Sequence, residues 1–179
     1  MKIATNPRLN LLELLQHNPK DKRIFPLIEQ LESKQPANLR RDREFLAGVW
    51  ELRWSSSKQP WLKQAPWLEN LQLLDPEQGQ GMNLLRLKGF LSSAVAISVR
   101  ANLSVLDQRR VEVNFRRGGW IGPTLPGGRR LEILREINQS FPAWLDITVL
   151  DDELRVCRGN AGTIFALIRR TDIRIGDLM

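Results

Sequence analysis

The stretch LDITVLDDELRVCRGNAGTIF, residues 145–165, decides the fold class of this chain. Apolar residues recur at every second position over 145–149 and again over 154–156, which is the period of a half-buried strand. Aspartate-rich and glycine-rich turn residues separate these runs at 151–152 and 159–162. The pattern predicts three short antiparallel strands joined by tight turns, a meander that is typical of a β-sandwich or a β-barrel.

The chain has 179 residues, a length that suits one domain with a sizeable core. We expect one domain over 1–179, with a helical N-terminal segment over 1–44 and a β-barrel over 45–171. The single cysteine, Cys157, cannot form an internal disulfide, and no run approaches the roughly 20 apolar residues that span a bilayer. The N-terminus has neither the apolar core of a signal peptide nor the length of a transit peptide, so we expect a soluble or peripheral protein on the cytoplasmic side.

Two helices are expected before the sheet. Asn6-Pro7 is typical of a helix N-terminus, and apolar residues at helical spacing predict a second helix over 21–34. From residue 45 the period changes to two, and further strands are predicted at 49–55, 84–88, 92–100, 101–106, 110–116 and around 131–133. With the C-terminal three, the sequence predicts a mainly β fold of about eight antiparallel strands, and we favour a closed barrel over a sandwich.

Residues suited to catalysis are scarce. The only histidine, His17, lies in the first helical segment, which argues against a histidine-based triad or a multi-histidine metal site. We interpret Cys157 as a small buried hydrophobe, and Asp151 and Asp152 as turn residues. The sequence has no phosphate-binding glycine loop and no dinucleotide fingerprint. We therefore expect no catalytic residue, no metal, no cofactor and no enzymatic activity.

The positive charge is concentrated in one part of the chain. The net charge is +7, and most of the excess comes from arginines between positions 100 and 135, namely Arg100, Arg109, Arg110, Arg116, Arg117, Arg129, Arg130 and Arg135. Such a cluster attracts phosphate-bearing surfaces, either anionic lipid or nucleic acid. It is equally compatible with a solvated, arginine-rich loop face.

The tryptophans suggest a surface that meets lipid. Pro-Trp-Leu occurs at 60–62 and again at 66–68, where the indole rings would either seat at a membrane interface or plug one end of the core. Arginines flank Trp120, a pattern that fits an anionic bilayer or single-stranded RNA. The membrane-facing candidates are Trp61, Trp67, Arg116, Arg117, Trp120, Arg129 and Arg130.

Gly48-Val49-Trp50 indicates how one end of the barrel closes. A Gly-x-Trp at the start of the first strand, with a helix before it and an arginine in a closing strand, is typical of a lipocalin-type barrel. The arginine packs across the indole face, a cation–π contact worth about 0.5–2 kcal/mol. Candidates for that arginine are Arg155, Arg158 and Arg169.

Two segments, 46–55 and 145–159, resemble the plastid lipid-associated protein (fibrillin) family. The first is similar to that family's opening strand with Gly-x-Trp, and the second, continuing through Gly162 and Phe165, to its closing signature. The family often has tyrosine where Val149 stands. Because no transit peptide is evident, the chain resembles a cyanobacterial member. The resemblance implies a lipocalin-like barrel, associated with thylakoids or lipid globules, that binds or stabilises lipids and prenyl-type molecules without catalysis.

Our main hypothesis is a non-enzymatic barrel that binds a lipid or a prenyl-type molecule, peripheral to an anionic photosynthetic membrane. The inward-facing residues that would line its cavity are Trp50, Leu52, Trp54, Val95, Ile97, Val113, Phe115, Ile147, Val156 and Phe165. One alternative is a scaffold with a filled interior that binds protein partners at the membrane, and another is a basic nucleic-acid-binding protein, with nucleic acid the less expected partner. Since an eight-stranded barrel either fills with its own side chains or holds one small ligand, a cavity would distinguish the first two.

Overall fold

The protein is described by a computed structural model that covers residues 6–59, 62, 65–89, 96–139 and 143–178. Three helices open the chain: α1 (Pro7–His17), α2 (Ile24–Lys34) and α3 (Leu39–Leu46). The expected start of α1 is confirmed, because the side chain of Asn6 accepts a hydrogen bond from the backbone N–H of Arg8 at 2.9 Å and proline occupies the first helical turn. The sequence analysis missed α3, whose eight residues include five charged ones.

Nine antiparallel strands follow within these described ranges. They are β1 (Gly48–Ser55), β2 (Leu68–Asp75), β3 (Gln80–Leu87), β4 (Ala96–Val105), β5 (Arg110–Thr124), β6 (Arg130–Glu136), β7 (Ala143–Leu150), β8 (Leu154–Gly159) and β9 (Ile164–Arg170). Their order in the sheet is β4-β3-β2-β1-β9-β8-β7-β5-β6, and β4 also pairs with β5. That extra pairing closes the sheet in a ring, so the expected mainly β, barrel-like architecture is confirmed.

The structure corrects the strand prediction in three places. The strand β2 was not predicted, because leucines in LENLQLLD occupy both faces and obscure the period of two. The two strands expected at 92–100 and 101–106 form a single strand, β4, from residue 96 onward. The strand β5 also continues past the predicted end at residue 116 to Thr124. The three C-terminal strands and their turns are as predicted.

The length of β5 lets two strands share one of its edges. Its first residues, Arg110–Val113, pair with β7, whereas Arg117–Thr124 pair with β6. Between them, the side chain of Gln139 donates to the carbonyl of Val113 at 3.2 Å and accepts from the N–H of Phe115 at 2.7 Å. We call β6, together with the residues of β4 and β5 in register with it, the β6 extension, because it carries the sheet past the end of β7.

Both faces of the ring are apolar. An inner cluster fills part of the ring and includes Trp50, Leu52, Val113 and Ile147. A helix-side cluster packs α1 and α2 against the outer face of β7, β8 and β9. A third cluster lies on the outer face of β2 and β3 and is partly covered by C-terminal residues 173–178. Each fully buried leucine in these clusters contributes about 1.5–3 kcal/mol.

Ion pairs connect α1 and α2 to the ring. Arg8 of α1 contacts Asp151 in the turn between β7 and β8 at 2.7 Å. Arg158 of β8 contacts Glu32 of α2 at 2.6 Å. Burial raises the pKa of Asp151, but hydrogen bonds from Arg8 and from backbone amides outweigh that effect and hold the pKa below its usual value.

Candidate ligand-binding site

A cavity of about 290 Å³ lies inside the ring. Its walls are mostly aliphatic and aromatic side chains from β2, β4, β5, β7 and β9, with a few polar groups. The lining residues include Gln72, Val99, Ala101, Val113, Phe115, Trp144, Ile147, Arg155, Asn160, Ala161 and Phe165. The volume is close to the lower end of the range of about 300–1,000 Å³ in which small-molecule sites fall.

One end of the ring is closed around Trp50, whose side chain is fully buried. Its indole N–H donates to the carbonyl of Leu46 at 3.1 Å. The guanidinium of Arg169, directly opposite on β9, lies 4.3 Å from the centre of the indole ring. Gly48 has a φ of 137°, and a Cβ there would overlap Nη1 of Arg169. Only glycine therefore permits the guanidinium to lie where it does.

Among the described residues, backbone carbonyls and not carboxylates accept the hydrogen bonds of Arg169. Its guanidinium donates to the carbonyl of Ala47 at 2.6 Å, to that of Asp152 at 2.6 Å and to that of Phe45. Phe45 lies in α3, Ala47 lies between α3 and β1, and Asp152 lies in the turn between β7 and β8, while Arg169 itself belongs to β9. One side chain therefore links three segments at the closed end.

Arg155 lies on the cavity side of the same indole, with its guanidinium 5.1 Å from the ring centre. Its side chain is fully buried, and Nη2 donates to Oε1 of Gln72. Among the described residues, neither Nε nor Nη1 has a hydrogen-bond partner, and no carboxylate pairs with the guanidinium. Burial, with a smaller effect from Arg169, lowers the pKa of Arg155 to about 10, so the side chain is still charged at neutral pH.

The cavity reaches the surface at the turn between β8 and β9. Asn160 and Ala161 in this turn line the cavity and are exposed to solvent. Trp144 forms part of the wall nearby and is covered by the guanidinium of Arg110 at 3.9 Å. The cavity thus runs from a charged group at its closed end to a solvent-exposed turn at its mouth.

The β6 extension carries an exposed apolar patch beside this cavity. Ile97, Trp120 and Ile133 lie directly opposite one another across β4, β5 and β6. Ile97 is 53% exposed and Ile133 is 62% exposed. Val99, two residues from Ile97 on the same face of β4, lines the cavity. We call Ile97, Trp120, Leu131 and Ile133 the extension patch.

Comparison with known proteins places the chain in a family. The PAP_fibrillin family model matches residues 12–168, which include β1 to β8 and most of β9. The chain belongs to the PAP_fibrillin family. The resemblance proposed from the Gly-x-Trp strand and the closing signature is therefore confirmed.

Two curated relatives of this PAP_fibrillin member carry the name "Light-induced protein, chloroplastic", one from Solanum demissum and one from Solanum tuberosum. Each is 28% identical over 193 residues, covering 82% of this chain and 59% of the relative. The chain thus spans less than two thirds of the length of these relatives. No solved structure matches it.

Of the ten residues expected to face the interior of this PAP_fibrillin ring, four line the cavity: Val113, Phe115, Ile147 and Phe165. Trp50 and Leu52 are buried in the inner cluster with them. Val95 lies outside the described residues. The other three, Trp54, Ile97 and Val156, lie elsewhere.

Trp54 and Val156 face outward and pack in the helix-side cluster. The pairing of β1 with β9 shifts register between Leu52 and Trp54, and this bulge reverses the face of the residues that follow. The face on which Val156 lies was predicted wrongly for a different reason. Because α1 and α2 cover the outer face of β8, apolar residues occur on both of its faces. The period of two therefore does not distinguish the inner face of β8 from its outer face.

Ile97 shares a face with the cavity-lining residues of β4, but it lies on the β6 extension and is exposed. Among the three arginines expected at the closed end, Arg155 and Arg169 are there. Arg158 is not, because it faces outward and binds Glu32. The prediction that Arg158 closes the barrel is wrong.

The structure describes six of the seven residues that were predicted to face a membrane. Trp120 is half-buried, and Arg116, Arg117 and Arg129 are exposed on or beside the β6 extension. Arg130 is half-buried and donates to the carbonyl of Gly122 at 3.4 Å. Trp67 is 63% exposed at the start of β2, and Trp61 lies outside the described residues. The arginines of the expected basic surface therefore lie on or beside the β6 extension, although Arg117, three residues from Trp120 on β5, projects from the opposite face.

Two features of the site escaped the sequence analysis. Gln72, the partner of Arg155, lies in the strand β2 that was not predicted. Leu131 and Ile133 were assigned only to a strand, although both are exposed. Within the described residues, no group of three or more His, Cys, Asp or Glu is arranged to hold a metal ion. The same residues include no helix with the length and apolarity to cross a membrane.

Proposed function

We propose that this PAP_fibrillin protein binds a lipid or a prenyl-type hydrophobic molecule without catalysis, while it lies peripheral to a photosynthetic membrane or a lipid globule. The observation that carries the proposal is the apolar cavity of about 290 Å³ inside the ring. A scaffold that acts only through protein partners needs no such space, and its interior would be filled. The volume is well above one water molecule, whose share of liquid volume is about 30 Å³.

The β6 extension supports a peripheral position. Its exposed isoleucines and Trp120 form an apolar patch, and Arg116, Arg117 and Arg129 lie exposed nearby. Apolar side chains beside cations fit an anionic lipid surface, where each arginine contributes about 1 kcal/mol. Because Val99 connects the patch to the cavity wall, a molecule could pass between membrane and cavity over a short path. The name "Light-induced protein, chloroplastic" of the two relatives supports a photosynthetic setting.

The proposal is tested by purifying the full chain without detergent from a photosynthetic host and analysing an organic extract by mass spectrometry. We expect a quinone, carotenoid or lipid in stoichiometric amount. Ala101→Phe fills the cavity and should abolish this co-purification. Ser104→Phe, at an exposed position on the same strand, is the matched control and should retain it. A clean extract from the wild type would contradict the proposal and favour a scaffold.

A further inference from the structure

Among the described residues that line the cavity, Arg155 is the one whose buried side chain has polar atoms without a hydrogen-bond partner. Its side chain is fully buried, yet Nε and Nη1 have no hydrogen-bond partner within the described part of the chain. Together these two nitrogens carry three N–H donors. Buried donors are almost always bonded in folded proteins, so a site that holds three unused donors against a cavity requires an explanation.

The charge of Arg155 is also uncompensated. No ion pair among the described residues involves it, and Arg169, which lies against the same indole ring, is also a cation. Arg169 differs because three backbone carbonyls use its donors. Arg169 therefore makes the backbone contacts of the closed end, whereas Arg155, which lines the cavity, has two nitrogens without a partner among the described residues.

We infer that the cavity binds an amphiphile with a carboxylate head group, and that Arg155 receives this head at the closed end while the apolar tail extends toward the mouth. This inference rests on the proposed hydrophobic-ligand function and specifies its ligand class. A carboxylate suits the site because it accepts several hydrogen bonds and carries one negative charge, which matches one guanidinium. A dianionic phosphate head would leave a negative charge without a partner.

The dimensions fit such an orientation. Arg155 and Gly159 are four residues apart on β8, which spans about 13 Å along the strand. Between them the cavity wall is apolar, with Phe115, Ile147 and Phe165 among its residues. Beyond Gly159, the exposed Asn160 and Ala161 mark the mouth. A straight tail can therefore run along β8 from the guanidinium to solvent.

The test compares three amphiphiles that share one tail: dodecanoate, 1-dodecanol and dodecyltrimethylammonium. Binding to the full chain is measured at pH 8 by calorimetry and by the fluorescence of tryptophan, since the indole of Trp50 lies 5.1 Å from the guanidinium of Arg155. We expect the wild type to bind dodecanoate most tightly and the cation least. Arg155→Met should weaken dodecanoate binding by about 10- to 100-fold, the range that corresponds to losing hydrogen bonds to a charged group, and should leave dodecanol binding unchanged. Arg158→Met, which removes an outward-facing arginine from the same strand, is the control and should change neither.

The outcomes separate the inference from the function on which it rests. Equal affinity of the wild type for all three amphiphiles, or unchanged dodecanoate binding by Arg155→Met, overturns the role of Arg155 and leaves hydrophobic binding intact. If the wild type binds none of the three, both are wrong. Should Arg155→Met fail to fold, the comparison of the three head groups on the wild type decides by itself.

Discussion

At the closed end of the ring Trp50 is fully buried, whereas on the β6 extension Ile97 and Ile133 are 53% and 62% exposed. The closed end joins three segments through Arg169 and packs them tightly enough that a Cβ at Gly48 would overlap its guanidinium. On the extension, the isoleucines of the apolar row are mostly exposed to solvent. The difference indicates that stability is concentrated at one end, and that the other retains a surface which contributes little to folding.

The largest effect is expected at Gly48. Gly48→Ala places a Cβ at a φ of 137°, which costs about 1–3 kcal/mol by itself, and also displaces the guanidinium of Arg169. We expect a total loss of about 2–4 kcal/mol in the free energy of unfolding, measured by urea titration. Gly176→Ala, which meets no atom within 4 Å, is the control. Equal stability of the two variants would show that the closed end is not the rigid part of the molecule.

The two arginines beside Trp50 should respond in opposite ways. Arg169→Met leaves three carbonyls without their donor and should cost about 2–4 kcal/mol. Arg155→Met removes a buried charge that has no ionic partner, and replacing such a group by an apolar one of similar size is neutral or stabilising by about 1–4 kcal/mol. Thermal unfolding of the ligand-free variants measures both. A strong destabilisation by Arg155→Met would contradict our account of that residue.

Acid should loosen the closed end before the extension. The pKa of Asp151 is held below its usual value in the folded state, so its contribution is complete above the unfolded pKa, about 3.9, and is lost as the pH falls through the lower folded value. Asp151 caps the turn that also binds Arg169 through Asp152. We expect Asp151→Asn to lower the free energy of unfolding by about 1–3 kcal/mol at pH 7, and by less at pH 3. Hydrogen exchange of β8 and β6 amides compares the two ends, and equal acid sensitivity of both would contradict this prediction.

The sequence indicated Gly48 and Trp50 at the closed end because they form a local motif, but it did not single out Arg169, whose contact with Ala47 spans 122 positions. Gly48 and Trp50 lie two residues apart, and the turn residues 151–153 precede β8, whose second residue is Arg155. The faces of Trp54 and Val156 could not be predicted in the same way. A one-residue bulge decides the first, and the packing of α1 and α2 on β8 decides the second. Both depend on contacts between segments far apart in the chain.

The cavity and the extension patch could be identified only from the folded structure, because they too depend on contacts between segments far apart in the chain. The partner of Arg155, Gln72, comes from 83 positions earlier, so no local pattern indicates that the remaining nitrogens are left unused. Ile133 lies in β6, where apolar and polar residues alternate as they do in an ordinary half-buried strand. Its exposure follows only from the length of β5, which places β6 beyond the end of β7.

Substitutions on the β6 extension should have the smallest effect on stability. We expect the same substitutions to reduce membrane binding strongly. Because Ile97 and Ile133 are mostly exposed, replacing both by serine should change the free energy of unfolding by no more than about 0.5 kcal/mol. The same double variant should lose binding to vesicles that contain anionic lipid, measured by co-sedimentation. Arg116→Glu with Arg117→Glu should weaken that binding as well, and wild-type binding should fall as salt rises, since exposed charges are screened. If neither double variant reduces vesicle binding, the extension patch does not face the membrane, and its exposed apolar row would instead suit a protein partner.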